Sequence, residues 1–487
     1  MRSMRLVALL AIPAQLAFAQ APARSELTLE DAIATAHRNN PNYLTTENNL
    51  RNSVSQVRQA YSALLPSANT SFSTRYQQGG TQFVQGVAIG GSGDTYQSSY
   101  QLGLSYNING AVAFAPRAAR AGRDAAEADI TSAAALLRSQ VTTQYIQALK
   151  SQAQADLTDS LLSTATGQLD LANAKMAVGA ATIVDVRNAE VGVGQAQVNQ
   201  VIAHNNAQID KVRLFQLMGV PANPDAKLTT TFSTALPSFS LDSLLALAHK
   251  VNPDLEADKS RQYAAQMNVR SAQMSYLPSL FVSTGWGGNS LSFADDNFLI
   301  NQRAAQAASG FASCLSADSL RSRVGLSSFN CGSPTLTQAQ IDQIRSGNNQ
   351  FPFKFDRNPI GIGATLSFPI FNNYQREAQV EQARVQRDNA TYSLRARNLQ
   401  LTTDVTNAYL TLIAAAKTVQ LQEQTAMKAA QELAAVQERY KVGATTFLDV
   451  TTSRGQYEQA QIGRVNAIYD YHTAFANLEQ AVGRPLR

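Results

Sequence analysis

Two aspartates hold the same place in a nine-residue phrase that the chain writes twice. Val178-Gly179-Ala180-Ala181-Thr182-Ile183-Val184-Asp185-Val186 returns 264 residues later as Val442-Gly443-Ala444-Thr445-Thr446-Phe447-Leu448-Asp449-Val450. The chemistry open to such a phrase is that of helix ends. Gly179 and Gly443 supply the left-handed conformation that closes an incoming helix. Thr182 and Thr446 cap an outgoing one, and a carboxylate three residues on is favoured by the dipole of the first turn. Each aspartate is therefore either the acid of a capping box or a charge set at a turn for another purpose, and spacing alone leaves both open. His37 and His249 also recur, each in the last turn of a short helical stretch, and read as helix-end residues and not as ligands. The only cysteines are Cys314 and Cys331. In an exported chain they read as a local disulfide, with two free thiols as the alternative. Neither has a histidine nearby, so no metal site follows. HExxH, paired CxxC, GxxxxGK and GxSxG are all missing from the sequence, so no enzyme and no cofactor is expected.

The elements that position these residues are themselves doubled. Leu29-Glu30-Asp31-Ala32-Ile33-Ala34-Thr35-Ala36-His37-Arg38-Asn39-Asn40-Pro41 is echoed 212 residues later by Leu241-Asp242-Ser243-Leu244-Leu245-Ala246-Leu247-Ala248-His249-Lys250-Val251-Asn252-Pro253, and Leu65-Pro66-Ser67 by Leu277-Pro278-Ser279 at the same offset. We divide the chain into a targeting segment over 1–21, repeat one over 22–225 and repeat two over 226–487. The targeting segment has a basic start (Arg2, Arg5), a short apolar stretch and small residues at its end. Each repeat opens with a short helix, capped by Thr28 in the first, followed by a second helix ended by proline.

The hydrophobic period then changes to two. Ser98, Tyr100, Leu102, Leu104, Tyr106 and Ile108 alternate with Gln97, Ser99, Gln101, Gly103, Ser105 and Asn107. Ile360, Ile362, Ala364, Leu366, Phe368 and Ile370 alternate likewise. With weaker alternation around Asn69 to Tyr76 and Leu280 to Trp286, this predicts strands near 66–78 and 97–110 in repeat one, and near 279–288 and 358–371 in repeat two. Half-buried soluble strands and membrane barrel strands share that pattern. Between the strands of repeat two lies an insert, 287–357, grown by 50 residues over its counterpart. Proline-free stretches rich in Ala, Gln, Leu, Arg and Glu follow, from about Pro116 to Lys175 and from Tyr374 to Tyr440, each predicting a helix of roughly 90–100 Å. Second helices run from Thr182 to Met218 and from Thr446 to Val482, with hairpin tips near 177–186 and 441–450. Their thin, alanine-rich apolar stripe suits coiled-coil contacts and not a compact core. The formal charge of +5 falls to about +3 without Arg2 and Arg5, and no basic run exists, so nucleic acid is not an expected partner.

The Leu-Thr-Leu-Glu-Asp-Ala-Ile…Asn-Pro box, the Leu-Pro-Ser before a strand, the Val-Gly…Thr…Asp-Val turn and the Leu-Ser-Phe-Pro-Ile-Phe strand end at 366–371 together resemble the TolC-type outer membrane efflux proteins, the outer membrane factors. The resemblance implies a mixed α and β membrane protein: a homotrimer whose protomers each give four strands to a twelve-stranded outer-membrane β-barrel, continued by a long α-helical coiled-coil tunnel across the periplasm. It implies a passive duct in the lipid of a Gram-negative-type outer membrane, served by a periplasmic adaptor (membrane fusion) protein and an inner-membrane pump.

Val178, Gly179, Thr182, Val442, Gly443 and Thr446 would form the tips where the adaptor docks. Asp185, Asp449, Tyr440 and Thr452 would line the periplasmic constriction, with Asp449 as the pore ring, Tyr440 as the aromatic latch and Asp185 as its partner. Thr445 stands where a basic latch residue can occur, and Thr452 where a second acid can follow, so fewer charged contacts would close this gate. The insert would face the cell exterior, where it could plug or lid the barrel. A duct for type I protein secretion is the runner-up, and a periplasmic coiled-coil adaptor or structural protein is the reading from another class.

Overall fold

A computed structural model describes residues 26–85, 87–233 and 239–486; the expected targeting segment lies outside them. The chain begins with β1 (Glu26–Leu27), α1 (Leu29–Asn39) and α2 (Pro41–Ser62). Four strands follow: β2 (Ser67–Gln77), β3 (Gly80–Val84), β4 (Val87–Ser92) and β5 (Thr95–Ile108). A hairpin of long helices comes next, α3 (Gly110–Ala177) and α4 (Ile183–Met218). The second half runs β6 (Lys227–Leu228), α5 (Leu241–Val251), α6 (Pro253–Gln273), β7 (Ser279–Phe293), α7 (Asp296–Arg323), α8 (Gln338–Asn348), β8 (Asp356–Arg357), β9 (Gly361–Ser367), α9 (Gln375–Lys441) and α10 (Phe447–Val482).

The chain divides into two units. One is helical and takes residues up to Val57, Ala118–Asn268 and Gln382 onward; the other holds the long strands and takes Arg58–Arg117 and Val269–Glu381. α3 and α9, most of whose length is in the helical unit, have 68 and 67 residues, about 100 Å each at 1.5 Å per residue. α3 starts at Gly110, six residues before the expected Pro116, because the side chain of Asn109 accepts the Val112 amide at 2.8 Å and opens the helix there.

The short helices pack on these hairpins. Leu244 and Ala248 of α5 join Val405 and Leu412 of α9 and Tyr471 and Leu478 of α10 in one core. Ala32 and Ala36 of α1 join Val141 and Tyr145 of α3 and Leu214 of α4 in another. On α9 the buried positions Val405, Leu412, Val419, Ala426, Leu433 and Tyr440 recur every seven residues. On α10 the small residues Ser453, Ala460, Ala467 and Ala474 do the same. Large against small at heptad spacing lets two backbones run close over many turns.

In the strand unit, β2, β5, β7 and β9 form one antiparallel sheet in that order, with β8 also on β7; β3 and β4 form a separate hairpin. Phe72 pairs with Tyr100, Leu102 with Trp286 and Val282 with Ala364, which collects the apolar residues on one face. The other face carries serines that bond across strands, Ser67 to Ser105 at 2.8 Å and Ser73 to Ser99 at 2.9 Å. β9 is shorter than the alternation over 358–371 predicts. Ser367 is already opposite Ser279, where β7 begins, and Pro369 has no amide to give a ladder.

β7 in turn is longer, carrying strand pairing through Phe293 into the expected insert. The rest of that insert is not a plain loop. α7 is capped by Asp295, whose side chain accepts the Asn297 amide, and α8 by the Thr337–Gln340 capping box. Ala, Gln and Arg there favour helix even among glycines and serines. Cys314 and Cys331 are disulfide-bonded across 17 residues.

Candidate functional site

Each hairpin tip is built by the same local chemistry. α3 ends at Gly179 (φ 75°), where the amide of Ala180 reaches the carbonyl of Lys175 at 2.8 Å. α9 ends at Gly443 (φ 78°), where Ala444 reaches Arg439 at 2.8 Å. A side chain is rarely tolerated at such φ, which is why glycine stands at both. Thr182 and Thr446 are the N-caps of α4 and α10, each in a full capping box with Asp185 or Asp449.

The two boxes are not equal. Asp185 Oδ2 accepts the amide and hydroxyl of Thr182, both at 2.8 Å. Asp449 Oδ2 accepts the Thr446 amide at 3.0 Å, the Thr446 hydroxyl at 2.7 Å and the Thr445 hydroxyl at 2.6 Å. Position 181, the counterpart of Thr445, is alanine. These donors, the Thr445 hydroxyl foremost, hold the Asp449 carboxyl down at about 2 from its ordinary 3.8. Asp449 stays exposed, so the lowering comes from hydrogen bonds and leaves a persistent surface charge. Thr452, one turn on, donates its hydroxyl to the Leu448 carbonyl at 3.0 Å and spends it within its own helix.

Tyr440 is 5% exposed and packs with Ala172, Val186, Ala189, Phe447 and Val450, so the two tips share one apolar knot. Its ring lies 5.8 Å from that of Phe447. Lys175 sits 4.0 Å over its face and donates to its backbone carbonyl. That ammonium is half-buried over a ring quadrupole, an arrangement worth about 0.5–2 kcal/mol.

No hydrogen bond joins Tyr440 to Asp185 among the described residues. The expected partner is instead engaged with Thr182, although its charge, after burial, helps push the Tyr440 phenol upward. The phenol therefore remains a neutral donor, and its oxygen is buried without a partner. Gln168, 6% exposed, likewise leaves Nε2 unbonded, and both residues line a groove of about 320 Å³ with Leu171, Phe447 and Val450.

Lys175, Gln168 and Phe447 are functional candidates that sequence reasoning missed. For Lys175 a signal existed, since the 264-residue offset sets it opposite Arg439 and so makes it a repeated cation at the tip. Val178 and Val442 project at the turns, 78% and 80% exposed. No group of histidine, cysteine or carboxylate side chains able to hold a metal occurs among the described residues.

Residues 32–220 and 334–484 match the family described as outer membrane efflux protein. Outer membrane protein TolC of Escherichia coli is 24% identical over 319 residues, covering 65% of this chain and 55% of that protein. The toluene efflux pump outer membrane protein TtgF of Pseudomonas putida is 29% identical over 263 residues, 53% of this chain and 54% of that protein. The chain thus spans about half the length of the curated relatives it matches. Among solved structures, the outer membrane protein VceC of Vibrio cholerae superposes with a TM-score of 0.69 at 18% identity, over 94% of this chain and 97% of that one. The Neisseria gonorrhoeae MtrE outer membrane channel, in its open state, does so with 0.69 at 17%, over 94% and 89%. These likenesses establish the fold.

Proposed function

This chain belongs to the outer membrane efflux protein family, and from that membership we propose that it is the outer membrane exit duct of a tripartite efflux system. Three copies assemble into one duct. It passively conducts small molecules that an inner-membrane pump and a periplasmic adaptor deliver.

The observation that carries this reading is the sheet. Its four long strands present one apolar face, and β2 and β9 have no outer partner within the described residues. Unpaired strand edges are costly in lipid, where every backbone group needs a partner, so closure with copies of the same sheet is the physical way out. Three four-stranded sheets give twelve strands, an even number as in bacterial barrels. The exposed Val178 and Val442 at the tips suit docking of an adaptor through apolar contact. Asp449, repeated around a threefold axis, would make a ring of carboxylates that attracts cations, with the Tyr440–Lys175–Phe447 knot bracing the tips behind it.

The test is a deletion strain. It should accumulate fluorescent dyes and apolar antibiotics, and the plasmid-borne gene should restore export. The protein should be extracted only by detergent from outer membranes, as a trimer that dissociates on heating. A monomer released from the periplasm without detergent would refute the duct.

A further inference from the structure

The segment Phe351-Pro352-Phe353-Lys354-Phe355, at the end of the insert, lies back against one face of the sheet. Ring centroids of Phe351 and Tyr96 are 5.3 Å apart, those of Phe353 and Phe72 6.2 Å, and those of Phe355 and Tyr100 4.8 Å. Hydrogen bonds fix the strap in place. Ser98 donates to the Pro352 carbonyl at 2.5 Å, and Ser292 Oγ accepts the amides of Gln350 and Phe351 at 3.1 and 2.9 Å. Asn348, buried, bonds both backbone groups of Phe293 at 2.6 and 2.8 Å.

Parity identifies the face. Ser98, Tyr100 and Tyr96 share it with Leu102, Leu104 and Tyr106 of β5, and by register with Phe72, Trp286, Val282 and Ile362. The serine-paired face is the opposite one. The strap also sits at the ends of β5 and β7 remote from Ile108 and Ser279, where the chain passes to and from its helices.

We propose that the insert folds outward against the bilayer and not over the pore, and that Phe351, Phe353 and Phe355 form an aromatic collar bedded among the headgroups of the outer leaflet. This rests on the reading of the sheet as part of a membrane barrel. In such a barrel the apolar face meets lipid and the serine face lines the lumen, so a strap on the apolar face cannot plug the channel. Girdles of aromatic residues flank the apolar band of such barrels, and Tyr96 and Tyr100, against which Phe351 and Phe355 pack, supply the polar end that phenylalanine lacks. Phe353 is 73% exposed, and Lys354 is exposed beside it. A ring and an ammonium together suit a zone of acyl chains bordered by phosphates.

Trp286 is the only tryptophan, and it lies on the same face further from the strap, so it reports on the sheet itself. In trimers reconstituted with phospholipid brominated on its acyl chains, Trp286 should lose most of its emission. In the double variant Trp286→Phe, Phe353→Trp, the sole indole lies in the strap. Lipid brominated near the headgroup should then quench it, while aqueous iodide should have little effect. Quenching by iodide alone, with Trp286 of the parent still quenched by lipid, would overturn the collar and leave the duct standing. An unquenched Trp286 would overturn both. A measurement on the unaltered protein covers a misfolded variant: a lipid-borne carbene photolabel should mark the peptide holding Phe351–Phe355. Labelling of β5 without that peptide would equally overturn the collar.

Discussion

At Asp449 the carboxylate is answered by threonine donors, and a charge held by hydrogen bonds behaves differently from one neutralised by a cation. With Thr445 in place of a basic residue, the side chain is fixed in position but keeps its full charge. Its pKa is lowered from 3.8 to about 2, so its contribution to stability is present above the unfolded value and lost only as pH falls through about 2. Across the ordinary range the Asp449 charge is therefore constant. Asp449→Asn removes the charge yet keeps an oxygen for the three donors, which separates electrostatics from capping. In planar bilayers the variant should show weaker block of single-channel current by multivalent cations, with unheated trimers still formed. Block of the parent channel should be flat from neutral pH down to about pH 4. Equal block in variant and parent would remove Asp449 from the constriction, and a parent response near neutrality would assign the charge to another group.

Among the elements, four glycines that look alike in sequence do different work. Gly179 and Gly443 have positive φ in open space, so an added Cβ meets nothing. Gly219 and Gly483 also have positive φ, at the ends of α4 and α10, but there a Cβ would fall 2.3 Å from the Asn39 carbonyl and 2.5 Å from the Pro253 ring. The reason is the repeated Asn-Pro. Asn40 Nδ2 donates to the Leu217 carbonyl at 2.8 Å and Asn252 Nδ2 to the Ala481 carbonyl at 3.0 Å. Each buried asparagine thus bridges a short helix to the end of a long one.

Gly179→Ala should therefore cost only the backbone strain of a side chain at positive φ, about 1–3 kcal/mol. Gly219→Ala and Gly483→Ala should cost more than the ~1–3 kcal/mol of backbone strain, because neighbouring backbone must also shift. Thermal dissociation of trimers should rank them in that order, and Gly179→Ala proving as damaging as Gly483→Ala would contradict the packing. Caps, long helices and strand faces were legible because each follows from local spacing. The Asn40–Leu217 and Asn252–Ala481 bridges were not, since they join residues 177 and 229 apart. Nor was the Tyr440–Lys175 contact, across 265 residues. The insert's helices were obscured by the glycines and serines around them, which loop and capped helix share.

For the whole molecule, the question is what covers the apolar residues that a single chain leaves bare. On α4 exposed Val184, Val191, Val198 and Val212 fall on one heptad line, with Ile202 and Ile209 on an adjoining one. On α9 exposed Val385, Tyr392, Leu399, Ile413 and Met427 form another, one position round from the buried line through Val405 and Leu412. Each long helix pair thus has an inner seam filled from within the same chain and an outer seam left open. An outer seam at heptad spacing is complementary to another helix and not to water, and one stripe comes from each half of the chain. In a ring of identical chains, the α4 stripe of one copy would meet the α9 stripe of the next, so that every copy uses both and none is left over.

Introducing Val191→Asp with Val198→Asp places two carboxylates in that seam without touching either internal core. The protomer should keep its helicity by circular dichroism, while the unheated trimer band should vanish and dye export fail. Leu399→Asp with Tyr392→Asp should do the same from the other side. Trimers surviving either pair would show that the stripe faces something other than a neighbouring copy, and loss of helicity together with the trimer would mean the stripe belongs to the protomer's own core.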